Sequence, residues 1–238
     1  MDTAPVPTEL LLQQICDSVF PIGAYSQSYG LETYIQRGLV HDAGSAWGFV
    51  RAQVEYPLTY TELLGLRLAY EGTREVLHGT GLWDAVAGLE WELAALKTPA
   101  ETRAASEKLA SRFIRTVTAI GALGPAEGGR FGSYVQTGAP HAVNVAYGVF
   151  SALAGIDLVA LARRYLYGQV SAMTVNCVKS IPLSQTAGQA MLLRSLPLQE
   201  RAVERALAAG RDELGLSMPG FDVRCIEHEG IYSRLYMS

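Results

Sequence analysis

Apolar positions recur along much of this chain at the three- and four-residue spacing of amphipathic helices. The pattern is clearest from Glu9 to Phe20 and from Leu158 to about Lys179. Strand signals are nearly absent: no Asn-Gly or Asp-Gly hairpin turn occurs, and sustained alternation begins only near the C-terminus. The sequence therefore predicts an all-α fold, a single helical-bundle-like domain of roughly nine to ten helices spanning residues 1–238.

The segment Phe20–Leu39, FPIGAYSQSYGLETYIQRGL, interrupts the first helix. Pro21 cannot continue that helix, and Gly23 can adopt backbone angles that other residues avoid. A helical pattern resumes at Ser26 or Ser28. These features predict a stiff elbow rich in tyrosines and hydroxyl groups, whose rings bury area and whose polar tips need partners. An ordinary helix-turn-helix corner in the core remains the alternative.

Several helix boundaries can be predicted from local chemistry. Asp157 is expected to cap the longest helix, and Thr98 is expected to cap a helix in which Glu101 completes a capping box. Ser180 is expected to cap the following helix. Pro57 is expected to kink or split the helix that contains it, because proline lacks the backbone donor.

The spacing also predicts which faces are buried. Val19 belongs to the apolar stripe of the first helix, and Trp91 belongs to the inner face of one helix predicted over Thr73–Leu96. Glu90 and Glu92 are assigned to the solvated surface of that same helix, since exposed charges are the default on helix surfaces.

Composition narrows the class of protein. The net charge of −4 gives no basic footprint for nucleic acid, and no apolar run is long enough to span a bilayer. Three widely spaced cysteines and the absence of a secretory signal pattern predict a cytoplasmic protein with reduced thiols. The hydrophobic fraction of 49% suggests apolar surface reserved for partners, and a homodimer is the simplest expectation.

The chain carries no familiar catalytic or nucleotide-binding motif: GxxxxGK[ST], GxSxG, HExxH and CxxC are all absent. The sequence therefore predicts no enzyme activity and no cofactor. Cys225 and His228 have a spacing at which a thiolate and an imidazole could share a metal ion. Two ligands form only half of a tetrahedral site, so no metal site is predicted.

Two further stretches could form docking surfaces. On the helix after Asp157, Arg163 and Tyr167 are i, i+4 neighbours, and Lys179 lies at its C-terminal end. Ser171 and Thr174 are expected to continue the Arg163 side. A solvated helix face is the alternative interpretation.

The last segment, 221–238, is interpreted as a C-terminal tail that depends on a partner for order. Its ending, YSRLYMS, combines aromatic and aliphatic side chains with one arginine, a composition typical of interface anchors. A disordered chain end is the alternative.

Three segments together resemble the UreF family of urease accessory proteins. They are FPIGAYSQSYGLE at 20–32, VKSIPLSQTAGQAMLL at 178–193 and YSRLYMS at 232–238. Their order and spacing extend the resemblance over essentially the whole chain, and the all-α prediction agrees with that family's fold. The chain departs from the family pattern at Gln27 and Ser28, so no histidine role is carried over there.

The resemblance implies a non-catalytic maturation factor. Such proteins dimerise, bind the UreD/UreH accessory protein and recruit the nickel-carrying GTPase UreG, so that nickel is delivered to the urease apoprotein. The residues expected to contact partners lie in the elbow, on the Arg163 helix and in the tail: Tyr25, Tyr29, Glu32, Arg163, Tyr167, Lys179, Tyr232, Arg234, Leu235 and Tyr236.

Two other classes remain open on the residues alone. A nickel-binding metallochaperone would use Cys225 and His228, with His141 as a further ligand, because nickel accepts imidazole and thiolate. An unrecognised helical enzyme would need a pocket with perturbed titratable groups, for which the sequence offers no candidate.

Overall fold

The structure, a computed structural model, describes residues 6–24 and 28–231. Within these two ranges the chain forms helices joined by short connections, and no strand occurs in them, so the all-α prediction is confirmed. None of the helices in the described ranges has the length and apolar character needed to cross a membrane.

In chain order the elements are α1 (Thr8–Ile15), α2 (Leu31–Gln36), α3 (Ala43–Gln53), a π-helical segment (Val54–Leu63), α4 (Leu64–Leu77), α5 (Trp83–Leu96), α6 (Ala100–Ala119), α7 (Pro125–Val135), α8 (Val143–Leu153), α9 (Leu158–Ser180), α10 (Gln185–Ala208), a 3-10 turn (Arg211–Glu213) and α11 (Pro219–His228).

Helix α8 lies at the centre, and every one of its residues is buried. It packs against α4, α6, α7 and α9. A Cβ atom at Gly148 would lie 2.4 Å from the carbonyl oxygen of Leu66, so glycine is required where α4 and α8 touch. On the opposite side, Phe113 of α6 stacks on Tyr147 with ring centroids 4.0 Å apart. The Tyr147 hydroxyl donates to the carbonyl of Ile15 at 2.7 Å and so fastens the end of α1 to the core.

The helix starts follow the predicted caps in part. Asp157 accepts the amide of Ala160 at 2.8 Å, as predicted. Thr98 is not a cap, because Pro99 takes the N-cap position and α6 begins at Ala100. Ser180 is still inside α9, and Ser184 caps α10 instead. Residues 181–183 lie between α9 and Ser184, so the cap of α10 stands at the end of this connection rather than at its start.

Pro57 and Pro197 both lie inside continuous helical segments. The π-helical segment accommodates Pro57 without a break, so the predicted split does not occur. Hydrogen bonds in a π-helix skip one residue more than in an α-helix, and the Thr59 hydroxyl donates to the carbonyl of Val54 at 2.6 Å. In α10, Pro197 is likewise internal, and the helix continues through it from Gln185 to Ala208.

The prediction of a single helix over Thr73–Leu96 is wrong. The chain breaks between α4 and α5, where Gly79 has a φ of +74°. The buried face of α5 is also different from the prediction. Glu90 is fully buried and Trp91 is 60% exposed, the reverse of the assignment from spacing.

Glu90 is buried because three groups satisfy its carboxylate. The Tyr134 hydroxyl and the Ala142 amide donate to Oε1, at 2.6 and 3.2 Å. The Nδ1 atom of His141 lies 2.9 Å from Oε2, and its Nε2 lies 3.2 Å from the carbonyl oxygen of Val135. A buried carboxylate with such partners links α5, α7 and the start of α8.

The surroundings of Tyr134 and His141 raise the pKa values of both side chains. Burial, reinforced by Glu90, holds the pKa of Tyr134 well above its usual range, so the hydroxyl keeps the proton that it donates. Burial alone would lower the pKa of His141. The hydrogen bond and charge of Glu90, together with the Val135 carbonyl, outweigh that effect and raise the pKa of His141.

We expect the His141 contribution to stability to depend on pH. A raised folded-state pKa means that the contribution is fully present below the unfolded pKa, about 6.5, and is lost as pH rises through the folded pKa. The free energy of unfolding of wild type minus that of His141→Asn should therefore fall between about pH 6 and about pH 9. Urea unfolding at several pH values measures this difference.

The matched control is His41→Asn, because His41 is exposed and lies outside this cluster. Its unfolding free energy should stay close to that of wild type, because substitutions of exposed residues usually change it by no more than about 0.5 kcal/mol. A wild-type minus His141→Asn difference that stays constant over this range would show that His141 and Glu90 do not share a proton-dependent contact.

Candidate partner-binding surface

The elbow after α1 is fixed by contacts with α6. The guanidinium of Arg112 donates to the carbonyl of Ile22 at 3.0 Å. Gly23 has a φ of +81°, and a Cβ atom there would lie 2.6 Å from Nη1 of Arg112. The positive φ favours glycine at this position, and a larger residue would also displace the end of the Arg112 side chain. Phe20 packs on the ring of Phe113, which joins the elbow to the core around α8.

The elbow ends in two consecutive left-handed residues. Tyr29 has a φ of +53° and Gly30 a φ of +77°, and α2 begins only at Leu31 rather than at Ser26 or Ser28 as predicted. A left-handed tyrosine is strained, and such strain persists where the surroundings enforce it. The Tyr29 hydroxyl donates to Oε1 of Gln169 on α9, and its carbonyl accepts Nε2 of Gln53 at 3.4 Å.

A second buried carboxylate lies close behind Tyr29. Glu62, in the π-helical segment, accepts Nζ of Lys97 at 2.5 Å and the hydroxyl of Tyr165 at 3.0 Å. Burial raises the pKa of Tyr29, and the charge of Glu62 raises it further. Tyr29 is therefore a neutral hydrogen-bond donor held between α3 and α9.

Helix α9 carries the pair that the sequence singled out, Arg163 and Tyr167. The Arg163 guanidinium binds Glu200 of α10 with both Nε and Nη2, the Nε contact at 2.9 Å. Tyr167 is 42% exposed one turn further along α9. Ser171 is only partly buried, but Thr174 is buried and donates to the carbonyl of Val170, so the predicted exposed side does not extend that far.

Two grooves meet at Tyr167. One, of about 610 Å³, lies between α1, α9 and α10 and is lined by Leu10, Arg163 and Leu196 among others. The other, of about 430 Å³, lies between the elbow and α9 and is lined by Phe20, Ile22 and Val175 among others. The Arg163–Tyr167 face is thus bordered by concave surface on both sides, and the lining of the first groove also includes charged side chains such as Glu9 and Arg164. We call this region, from the elbow to α10, the Tyr167 surface.

The end of α9 is set by close packing on α10. A Cβ atom at Gly188 would lie 2.5 Å from Cγ2 of Val178, so glycine allows the two helices to approach there. Lys179 is exposed in the last turn of α9, where a cation is favoured by the helix dipole.

Sequence analysis missed part of the exposed apolar surface. Val19 was assigned to a buried stripe, but α1 ends at Ile15 and Val19 is 84% exposed. The signal for this was Asp17, whose carboxylate accepts the amide of Val19 at 2.9 Å and holds a turn rather than a helix. Leu193 on α10 is a further large apolar side chain left in solvent.

Helix α11 packs on α2 through backbone, ionic and buried contacts. The Thr33 hydroxyl donates to the carbonyl of Arg224 at 2.9 Å, and Arg37 pairs with Glu227 at 2.7 Å. Glu32 is buried rather than displayed, and its Oε2 lies 3.1 Å from Nε2 of His228. Glu32, which was expected to contact a partner, therefore takes part in an internal contact between α2 and α11.

The described residues contain no group of three or more His, Cys, Asp and Glu side chains arranged to hold a metal ion. Cys225 is buried in α11, and both ring nitrogens of His228 face carboxylates, Glu32 and Glu101. His141 is similarly engaged with Glu90.

Five residues expected to contact partners lie outside the described ranges: Tyr25, Tyr232, Arg234, Leu235 and Tyr236. The last described residue, Ile231, donates its amide to the carbonyl of His228 at 3.0 Å. The C-terminal segment therefore starts directly beside the contact between α2 and α11.

Comparison with known proteins gives a consistent result. The family model described as UreF matches residues 40–196. The chain is 33% identical over 231 residues to the urease accessory protein UreF of Arthrobacter sp. (strain FB24), and the match covers 97% of each chain. The chain belongs to the UreF family of urease accessory proteins.

Proposed function

We propose that this protein is a non-catalytic urease maturation factor that acts as a dimeric scaffold. In this proposal it binds a UreD/UreH-like accessory protein and recruits the nickel-carrying UreG GTPase. The assembly then delivers nickel to the urease apoprotein. Membership of the UreF family supports the role in urease maturation. The observation that carries the scaffold role is the Tyr167 surface, with an exposed arginine and tyrosine between two grooves.

The side chains of this surface suit recognition rather than chemistry. Tyrosine and arginine are enriched among residues that dominate binding energy at interfaces. The backbone beneath them is well supported, because α9 is held by Tyr29, Glu62 and the close contact at Gly188. A surface held in place before binding loses little conformational freedom when a partner docks.

The same logic gives a mechanism for acting on the GTPase. A scaffold changes the nucleotide state of a GTPase only through a difference in its affinity for the two states. We propose that the Tyr167 surface binds one state of UreG more tightly. Co-purification of this chain with UreD/UreH-like and UreG partners, with nickel-dependent urease activation measured alongside, tests the proposal as a whole.

We expect the isolated chain to be a homodimer. Several large apolar side chains are exposed, Val19 and Leu193 among them, and symmetric dimers are the commonest oligomers. A stable interface of this kind buries roughly 1,200 Å² or more in total. Sedimentation equilibrium at micromolar concentration should give twice the chain mass, and a single species of one chain mass would contradict the expectation.

We expect Arg163→Ala combined with Tyr167→Asp to weaken the ternary complex by roughly tenfold or more, because interface Arg and Tyr anchors each contribute more than about 1 kcal/mol. Helicity and melting should change little, since exposed substitutions stay within about 0.5 kcal/mol. Binding of UreG to the preformed complex with UreD/UreH measures the effect.

The matched control is Arg211→Ala. Arg211 is 55% exposed, as Arg163 is, and it makes an equivalent bridge to Glu92. The Arg211→Ala variant should bind UreG as tightly as wild type does, because the Arg211–Glu92 bridge lies outside the Tyr167 surface. Equal loss in both variants would mean that charge, rather than this surface, governs binding. Unfolding of the double variant would mean that the face is structural.

We expect Arg234→Ala to weaken assembly with the accessory partners by roughly tenfold or more, because a desolvated charge-assisted bond contributes about 1.5–3 kcal/mol. Arg234→Lys is the matched variant: it keeps the charge but loses the planar donor fork. Pull-down and urease activation are measured together, with circular dichroism as the folding control. Full assembly and wild-type activation by Arg234→Ala would remove the C-terminal segment from the proposal.

A further inference from the structure

Gln169, which lines the groove between the elbow and α9, is held by one hydrogen bond from the end of the elbow. Its Oε1 accepts the hydroxyl proton of Tyr29. The backbone of Tyr29 is left-handed, with a φ of +53°, a conformation that a bulky residue keeps only where its surroundings enforce it. The contact with Gln169 is one of the interactions that accompany this strained backbone.

The bond determines which end of the Gln169 amide is left for the groove. Within the described residues the Tyr29 hydroxyl has no other acceptor, so a turned amide would leave the hydroxyl proton without a protein partner. Burial and the charge of Glu62 raise the pKa of Tyr29, so the hydroxyl remains a donor. The Nε2 atom of Gln169 has no partner in the described part of the chain and remains as a hydrogen-bond donor.

The tyrosine hydroxyls and the thiol in the lining of this groove place no negative charge in it. Tyr147 donates to a backbone carbonyl of α1, and Tyr165 donates to Glu62. Burial raises the pKa of the Cys16 thiol to about 12, against the opposing charge of Arg164, so the thiol stays protonated. These three groups therefore leave the cation of Arg164 uncompensated.

Among the described residues, the lining carries two charged side chains, Asp17 and Arg164. The Asp17 carboxylate is engaged locally, because it accepts the amide of Val19 at 2.9 Å. Arg164 is exposed, and in ranges 6–24 and 28–231 no carboxylate lies within ion-pair distance of it. The groove thus presents a cation and an amide donor from one helix, about 7.5 Å apart along its axis.

Apolar side chains from three elements share this lining. Phe20 and Ile22 belong to the elbow, Leu109 to α6 and Val175 to α9. A segment that docks here has to place apolar side chains against them while it presents acceptor oxygens to α9. A carboxylate suits both a guanidinium and an amide N–H, because charge-assisted hydrogen bonds are the stronger ones. Charge complementarity therefore favours an acidic, partly apolar peptide segment.

We propose that Gln169 is a specificity-determining residue of this groove and that Tyr29 is the positioning residue that holds it as a hydrogen-bond donor. Together with Arg164, Gln169 selects a partner segment that presents a carboxylate among apolar side chains. The role of Tyr29 concerns the isolated chain. The identity of the partner rests on the proposed function, in which UreG docks on the Tyr167 surface.

NMR of the side-chain amides in the isolated full chain tests the role of Tyr29. The Gln169 amide resonance is assigned by its absence in Gln169→Glu. In Tyr29→Phe, which removes only the hydroxyl group, this resonance should shift by more than any other glutamine resonance. An unchanged Gln169 resonance would overturn the positioning role of Tyr29.

Binding of UreG to the preformed complex with UreD/UreH tests the role of Gln169. Gln169→Glu keeps an oxygen for the Tyr29 hydroxyl but replaces the donor by a charged acceptor, so affinity should fall by about tenfold or more. Gln169→Met removes the donor without adding charge and should weaken binding less. Tyr29→Phe should also weaken binding, but it should add nothing to Gln169→Met, because Tyr29 acts through Gln169.

Gln14→Glu is the matched control. Gln14 is exposed on α1 outside the lining of both grooves, and the change adds the same charge. Its affinity for UreG should stay close to that of wild type. Equal loss in Gln14→Glu and Gln169→Glu, or wild-type affinity in Gln169→Glu, would overturn selection by Gln169. Additive losses from Tyr29→Phe and Gln169→Met would show that Tyr29 does not act through Gln169.

A scan of UreG tests the chemistry of the docked segment. Each exposed Asp or Glu of UreG is replaced singly by Asn or Gln and measured against wild type and against Arg164→Gln. At the carboxylate that docks here, the replacement should weaken binding to wild type by about tenfold and to Arg164→Gln by much less. If no carboxylate couples to Arg164 in this way, the acidic segment is refuted. If wild type does not bind UreG at all, the proposed function fails, while the NMR result still decides the role of Tyr29.

Discussion

The closeness of α4 to α8 is the constraint on which the rest of the structure depends. At Gly148 the two backbones approach so tightly that a single methyl group would collide with a carbonyl oxygen. Gly65, on the facing helix, also packs closely on α8, since a Cβ atom there would be 2.6 Å from the side-chain Nδ2 of Asn144. Every residue of α8 is buried, and α4, α6, α7 and α9 form a shell around it. The Tyr167 surface lies partly on this shell, because Arg163 and Tyr167 belong to α9.

Buried carboxylates hold the shell together at its polar points. Glu62, Glu90 and Glu32 each lie inside the protein, and each is paired with a lysine or a histidine. Glu62 and Glu90 also accept hydrogen bonds from tyrosine hydroxyls. A buried charge with one partner removed is strongly destabilising, so these contacts define unique pairings rather than adding large net stability. The two histidines in these contacts, His141 and His228, differ in the groups that they face. His141 faces one carboxylate and one carbonyl, whereas His228 faces two carboxylates.

Sequence was informative wherever the determining interaction is local. The cap at Asp157 was predicted because its signal lies within a few residues. Glu90 was assigned to the surface because its partners, Tyr134 and His141, lie 44 and 51 residues away in the chain. The elbow was recognised from Pro21 and Gly23. The internal role of Glu32 was not, because His228 is 196 residues distant.

The π-helical segment around Pro57 fixes the number of residues between α3 and α4. Successive residues of a helix are rotated by about 100°, so one residue more or less here would turn all of α4 relative to α3. The Glu62 carboxylate would then leave Lys97 and Tyr165, and Gly65 would leave its contact with α8. Among members of the family, differences in length should therefore collect in connections such as 78–82 and be absent between Gln53 and Leu64. The packing of the core therefore depends on the length of this segment as well as on its composition.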